Sequence, residues 1–203
     1  GFGLRAETQL ADLAGVSFRF DPTFRQWLPQ TDADGRCGPG LYAAGDGCTI
    51  AGAEAAAISG RLAAWAIPAH SGAPPPEREV AALRSSLVRL RSFQRGLARA
   101  FAWPAHWLAG MAADTVLCRC ENVTIGTLRM TAGQPLGPQE VNRAKALTRC
   151  GMGRCQGRFC GLAAAEAIAL TLGRPLEQVG RLRSQAPVKP IPLDVAPVEH
   201  EAA

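Results

Sequence analysis

No apolar run in these 203 residues is long enough to span a membrane, and no segment has the build of a secretory signal. Those absences predict a cytoplasmic protein with reduced thiols and count against a disulfide framework. There is no G-x-G-x-x-G, so the phosphate cradle that opens a dinucleotide-binding domain is missing. There is no Ser/His/Asp set and there are no paired carboxylates. His70 and His106 stand without a partner motif, so no catalytic residue is nominated. The chain opens GFGLRAETQL without a Met, which predicts a piece of a longer protein or a product of processing.

Cysteine, by contrast, is concentrated. Five of the seven cysteines lie between Cys118 and Cys160. Cys118 and Cys120 form a C-x-C pair, and Cys150, Cys155 and Cys160 follow with four residues between neighbours. Two short-range groups separated by a long loop are what a thiolate metal site needs. Zinc and an iron–sulfur cluster both take four thiolates, so spacing leaves the two open. The same segment holds seven basic residues (Arg119, Arg129, Arg143, Lys145, Arg149, Arg154, Arg158) against Glu121 and Glu140. The rest of the chain balances, so the net charge of +5 sits here. An anionic cluster suits that charge, as would an ordinary solvated helix face. A zinc-stabilised interaction or nucleic-acid-binding module is the alternative. Phe159 is the segment's only aromatic residue, which weakens the nucleic-acid version.

The string Cys118-Arg-Cys-Glu, followed by Thr148-Arg-Cys-Gly-Met-Gly-Arg-Cys-Gln-Gly-Arg-Phe-Cys160, resembles the bacterioferritin-associated-ferredoxin-like 2Fe–2S domain. It is most similar to the version in the large (alpha) subunits of opine oxidases and hydroxyproline dehydrogenases, which are related to the alpha subunit of heteromeric sarcosine oxidase. The resemblance implies iron–sulfur rather than zinc, and it covers nearly the whole chain. The expected ligands are Cys118, Cys120, Cys155 and Cys160, with C-x-C supplying one pair. Spacing alone cannot choose between Cys150 and Cys160 as partner of Cys155. Cys150 ends a helical pattern before Gly151, as a small buried residue would. Cys160 leads into an Ala-rich helix whose N-terminal dipole suits a thiolate. The family pattern also puts its last ligands in the CQG-x-x-C string.

Towards the N-terminus, residues 5–13 read as a helix with Leu10 and Leu13 on one face. Val16 to Phe20 alternates as a strand, and Thr31 to Gly35 is a turn cluster. Leu41 to Ala44 reads as a short strand, followed by Gly45-Asp46-Gly47 and a helix of small residues from Gly52. Small residues allow close backbone approach to a ligand, and a helix start offers free N–H groups. The bland reading is a turn beside a helix cap. The string GLYAAGD…AGAEAAAISGRLAA resembles the last flavin-contacting motif of flavoproteins with two dinucleotide-binding domains. That resemblance implies an FAD site, only partly present here, at Gly45, Asp46, Gly47, Ala51, Gly52 and Ala53. Cys37 and Cys48 read as small buried residues.

Glu77 to Phe101 has helical spacing, with Leu83, Leu87, Leu90, Phe93, Leu97 and Phe101 on one side. With the Trp103/Trp107 patch it is expected to pack two modules together or face a partner. Thr124 caps a short helix, Gln139 to Leu147 forms the next, and Leu162 to Leu172 the last. Pro187 to Leu193 is expected to be extended, a strap across a neighbouring surface.

The expected fold class is α+β, a remnant of an FAD/NAD(P)-binding Rossmann-like domain followed by a mainly helical 2Fe–2S domain. The division is 1–67 for the flavin-domain remnant, 68–111 for linker and long helix, 112–180 for the cluster domain and 181–203 for the tail. The resemblance implies an electron-transfer subunit of a flavin-dependent amine or amino-acid dehydrogenase of opine or hydroxyproline type. Its cofactors would be a 2Fe–2S cluster and FAD. Its partners would be a flavin-containing beta subunit, together with the N-terminal half of the FAD domain in trans.

Overall fold

The computed structural model describes residues 4–70, 72–189 and 191–192. It is a mixed helix-and-sheet fold, as expected at that level. Its strands make three separate two-stranded antiparallel ribbons, and no parallel pairing occurs among the described residues. Strand β1 (Phe18–Asp21) pairs with β2 (Gln26–Pro29), β3 (Arg36–Gly38) with β4 (Leu41–Tyr42), and β5 (Val116–Cys118) with β6 (Val123–Thr124). The strand expected over Leu41 to Ala44 is therefore shorter and lies in a hairpin.

Two hydrophobic cores form. In the first, α2 (Ala53–Ala69) packs on α3 (Glu77–Ala100) through Ala55, Ile58, Leu62, Val80, Leu83 and Leu87. The small residues of α2 let the two helix backbones approach closely. The apolar stripe of α3 is buried only as far as Leu87, with Leu90 packed at the edge. Phe93 and Phe101 are exposed, so the last turns of the expected buried face look outward. The second core lies under the cysteines. Helices α5 (Ile125–Ala132), α6 (Val141–Thr148) and α7 (Gly161–Leu172) bury Leu128, Ala132, Val141, Ala144, Ala165 and Ile168. The Thr124 hydroxyl accepts the Thr127 N–H, as its N-cap position predicts, and Gly173 ends α7 in a left-handed turn. Helix α4 (Ala105–Gly110) precedes β5, and α8 (Leu176–Val179) follows α7.

Buried ion pairs join distant parts of the chain. The first helix, α1 (Gln9–Leu13), reverses the expected orientation: Leu10 and Leu13 are exposed and Asp12 is buried. The reason lies far along the chain. Arg181 donates twice to Asp12, at 2.7 and 2.8 Å, and Ser184 N–H donates at 2.6 Å. The Arg181 guanidinium also stacks 3.8 Å from the Phe18 ring centroid. The start of the C-terminal segment is thus a strap on the protein's own surface. Further along it, Val188 C=O accepts from Arg158, while Pro190 and Leu193, part of the expected extended stretch, lie outside the described residues.

Burial raises the Asp12 carboxyl, but the Arg181 hydrogen bonds, the Ser184 N–H and the Arg181 and Arg183 charges outweigh it and hold the group well below the usual carboxylate range. A depressed folded-state value contributes stability that is full above the unfolded carboxylate value, about 4, and is lost as pH falls through the folded value. Asp12→Asn should therefore cost about 3 kcal/mol at neutral pH and flatten the acid limb of a stability–pH profile. Urea unfolding across that range measures both. An unchanged acid limb would remove Asp12 from this role.

Candidate metal centre

Cys118 closes strand β5, and Cys120 sits two residues on, in the turn to β6. The other three cysteines follow α6 in a tight loop. Arg149, Gly151, Gln156 and Gly157 all have left-handed backbone, with φ of 64°, 87°, 52° and 79°. Four such residues in so short a stretch coil the chain on itself, with Cys150 and Cys160 turned inward and Phe159 outward. Glycine at 151 and 157 allows this without a Cβ cost, and the Leu182 side chain lies over both. Gly153 is needed for another reason: a Cβ there would overlap Cys120 Cβ and come within 3.1 Å of Glu121 Oε1. The loop and the β5–β6 turn are in direct contact, and Arg149 Nε donates to Glu121 Oε2 at 2.7 Å to hold them so.

All five thiols meet at this contact. The Sγ atoms of Cys118, Cys150 and Cys160 lie within 4.8 Å of one another, and all three residues are buried. Cys120, at the exposed lip, neighbours the half-buried Cys155. The C-x-C pair thus faces the loop cysteines, with Cys118 among Cys150 and Cys160 and Cys120 beside Cys155. Cys150 joins the buried side, where the sequence placed only a packing residue.

Backbone donors surround these sulfurs. Gly151 N–H points at Cys118 Sγ at 3.5 Å. Burial raises the Cys155 thiol, but hydrogen bonds from the Phe159, Gly157 and Arg158 backbone and from Cys120 lower it below its ordinary value. The hydrogen bond with Cys150, followed by burial, pushes Cys160 far up when no cation is present. The two thiols are thus shifted in opposite directions, Cys155 down and Cys160 up.

Several of the basic residues serve as structural ties. Arg158 pairs with Glu7 at 2.5 Å, and Arg129 caps the carbonyls at the end of α4. Among the described residues, none of the hydrogen bonds of these two arginines goes to sulfur.

The second predicted site lies apart from the cysteines in sequence and has a different character. Gly45–Gly47 form a single 3-10 turn between β4 and α2. Gly45 is left-handed at φ 60°, its N–H donates to Ser59 Oγ at 2.8 Å, and a Cβ would meet Ala56 Cβ at 3.3 Å. The turn is therefore seated on α2. Asp46 is exposed, as are Gly52 and Ala53 at the helix start, while Ala51 is buried. No side chain caps α2 at Gly52. Cys48 is buried as expected, and burial holds its thiol up at about 11; Cys37 is only half-buried. A groove of about 750 Å³ opens beside this module, lined by Thr49, Ile50, Leu97, Phe101, Phe159 and Leu162.

Residues 116–199, which hold all five thiols, match the profile of the sarcosine oxidase A3 domain. Over nearly its whole length the chain is also similar to an opine oxidase subunit of Agrobacterium tumefaciens strain Ach5, at 39% identity over 98% of this chain and 41% of that one. Hydrogen cyanide synthase subunit HcnB of Pseudomonas aeruginosa is 35% identical over 95% of this chain and 41% of the relative. The chain spans about two fifths of the length of these relatives. The fold recurs in L-proline dehydrogenase from P. horikoshii, with a TM-score of 0.76 over 94% of this chain and 37% of that one, at 21% identity. The kinship with opine oxidase alpha subunits read from the CRCE and GMGRCQGRFC strings is therefore borne out, and these relatives are oxidoreductase subunits. No helix is long and apolar enough to cross a membrane among the described residues.

Proposed function

We propose that this chain is the electron-relaying part of a flavin-dependent amine or amino-acid dehydrogenase of opine or hydroxyproline type. It would hold a 2Fe–2S cluster on Cys118, Cys120, Cys155 and Cys160. The observation that supports this most is the gathering of both motifs at one loop contact, with Cys118 Sγ within 4.8 Å of Cys160 Sγ, Gly151 N–H pointing at Cys118, and Cys155 beside Cys120. Two irons need two thiolates each, so the donor set fits. When bound, the cluster supplies one-electron storage. The chain's own part is to hold the thiolates, to screen the inner pair from water, and to set the potential through the N–H groups of Gly151, Gly157, Arg158 and Phe159.

The two hydrophobic cores support a division into a flavin-domain remnant over 1–67, a linker and long helix over 68–111 and a cluster domain over 112–180. In this reading 181–203 is a tail, whose described start, 181–189, straps the modules together. Gly45, Asp46, Gly47, Ala51, Gly52 and Ala53 would contact FAD, with exposed Asp46 taking sugar or ribityl hydroxyls and the α2 start facing the flavin. Substrate oxidation would occur in a flavin-bearing beta subunit. Exposed Phe101 and Phe159, beside the cysteine loop, offer it an apolar landing.

Reduction by dithionite tests the relay. One unpaired electron per chain should appear in the paramagnetic resonance spectrum, since a reduced two-iron cluster holds one added electron. A reduced protein with no such signal overturns the reading. The isolated chain should bind FAD weakly or not at all, because the phosphate cradle is missing; flavin at one per chain that survives gel filtration would contradict this. Gly153→Ala should lose most of its bound iron while still unfolding cooperatively, because the added Cβ displaces Cys120. Full iron content in that variant would show that the loop contact is not required.

A further inference from the structure

The cluster reading leaves one thiol unused. Cys150 is 2% exposed, inside the second core, and its Sγ lies within 4.8 Å of both Cys118 and Cys160. A two-iron cluster takes two protein thiolates on each iron, so three mutually adjacent thiols are one too many for either iron. They suit a single ion better. Thiolates at about 2.3 Å around a tetrahedral zinc stand about 3.8 Å apart, so this triangle needs to close by about 1 Å at most. The surroundings are apolar, with Val141, Ala144 and Ala164 in the same core, and Gly151 N–H already orients Cys118. Three buried sulfurs in a dry pocket favour a soft cation over a hard, strongly hydrated one.

We propose that Cys118, Cys150 and Cys160 form a site for one soft d10 cation, zinc or cadmium, that cannot be filled together with the cluster. As the ion binds, three S–H bonds break, three metal–sulfur bonds form, and three protons pass to the buffer. The fourth position stays open to a solvent or added ligand. The incompatibility follows because Cys118 and Cys160 would be shared, and that part alone rests on the 2Fe–2S reading. Cys150 would give the empty domain a second metal state that holds the buried thiols together.

The test uses the full chain, freed of metal under anaerobic conditions and titrated with Cd²⁺ while thiolate-to-cadmium absorption is followed. One ion per chain should bind. Cys150→Ser and Cys150→Ala should each weaken binding by more than about a hundredfold, the upper range for loss of a merely supporting partner. Cys155→Ser should leave it unchanged. Equal affinity in the Cys150 variants, or an equal loss in Cys155→Ser, overturns the site. Should the Cys150 variants not fold, wild-type protein decides. Bound Cd²⁺ should shield Cys118, Cys150 and Cys160 from alkylation and leave exposed Cys120 reactive; the reverse pattern overturns the proposal. Cadmium-loaded protein should take up no iron and sulfide, and simultaneous uptake of both overturns the incompatibility. If metal-free wild type takes no iron and sulfide, the cluster reading fails while the cadmium titration still decides this site.

Discussion

Cys155→Ser and Cys160→Ser should each bleach the protein and lose or badly destabilise its iron, while Cys150→Ser keeps colour and iron. The geometry explains why the first two are so costly. Cys155 is the cysteine of its loop whose thiol is lowered below its ordinary value by neighbouring backbone N–H groups, and it lies beside Cys120 at the lip. Cys160 is the buried counterpart of Cys118 and the N-cap of α7. A serine alkoxide is a poor replacement for either, because its proton is far harder to remove than a thiol's. Cys150 touches the same buried sulfurs, so the experiment has a definite opposite outcome. If Cys150→Ser bleaches and Cys160→Ser does not, the inner pair is Cys118–Cys150. Visible spectra and iron content of the three variants decide between them.

The second large effect is on stability. Arg25→Ala should destabilise the chain by about 3–5 kcal/mol, because it leaves a buried carboxylate without its charge partner. Glu166 lies on α7 beneath the cysteine loop, with its side chain 3% exposed, and its Oε1 accepts from Arg25 Nε at 2.9 Å and Nη2 at 2.5 Å. Arg25 sits in the β1–β2 turn with left-handed backbone, 141 residues away in sequence. The pair therefore bolts the N-terminal hairpin to α7. At about 2–4 °C per kcal/mol for a chain of this size, the melting temperature should fall by roughly 6–20 °C. Arg25→Met combined with Glu166→Leu should recover most of the loss, since removing both charges removes the unpaired one. A single Arg25→Ala loss below about 1 kcal/mol, within the range of a surface pair, would show that the bridge ties nothing.

What was legible in the sequence was mostly local. The helix bounds of α3 and α7 followed from apolar period and from glycine and proline stops, and the Thr124 cap from a hydroxyl ahead of an apolar run. The gathering of the cysteines followed from chemistry, since five soft ligands in one segment have few other uses. What failed had distant causes. Leu10 and Leu13 look like a buried face until Arg181 is placed beside Asp12, which turns α1 over. The end of α3 looks buried because its period is intact, but α2 has ended and no described residue buries Phe93 or Phe101. Strands β2 and β3 and helices α4 and α8 are too short for periodicity to register. The grouping of Cys118 with both Cys150 and Cys160 depends on how the loop after α6 coils against the β5–β6 turn, and no spacing rule reports that.

Counting iron, acid-labile sulfide and zinc in anaerobically purified protein tests the central claim most directly. A 2Fe–2S relay domain should return about two irons and two sulfides per chain, with a red-brown colour. A colourless protein with one zinc per chain and no sulfide, even after reconstitution with iron and sulfide, would contradict it.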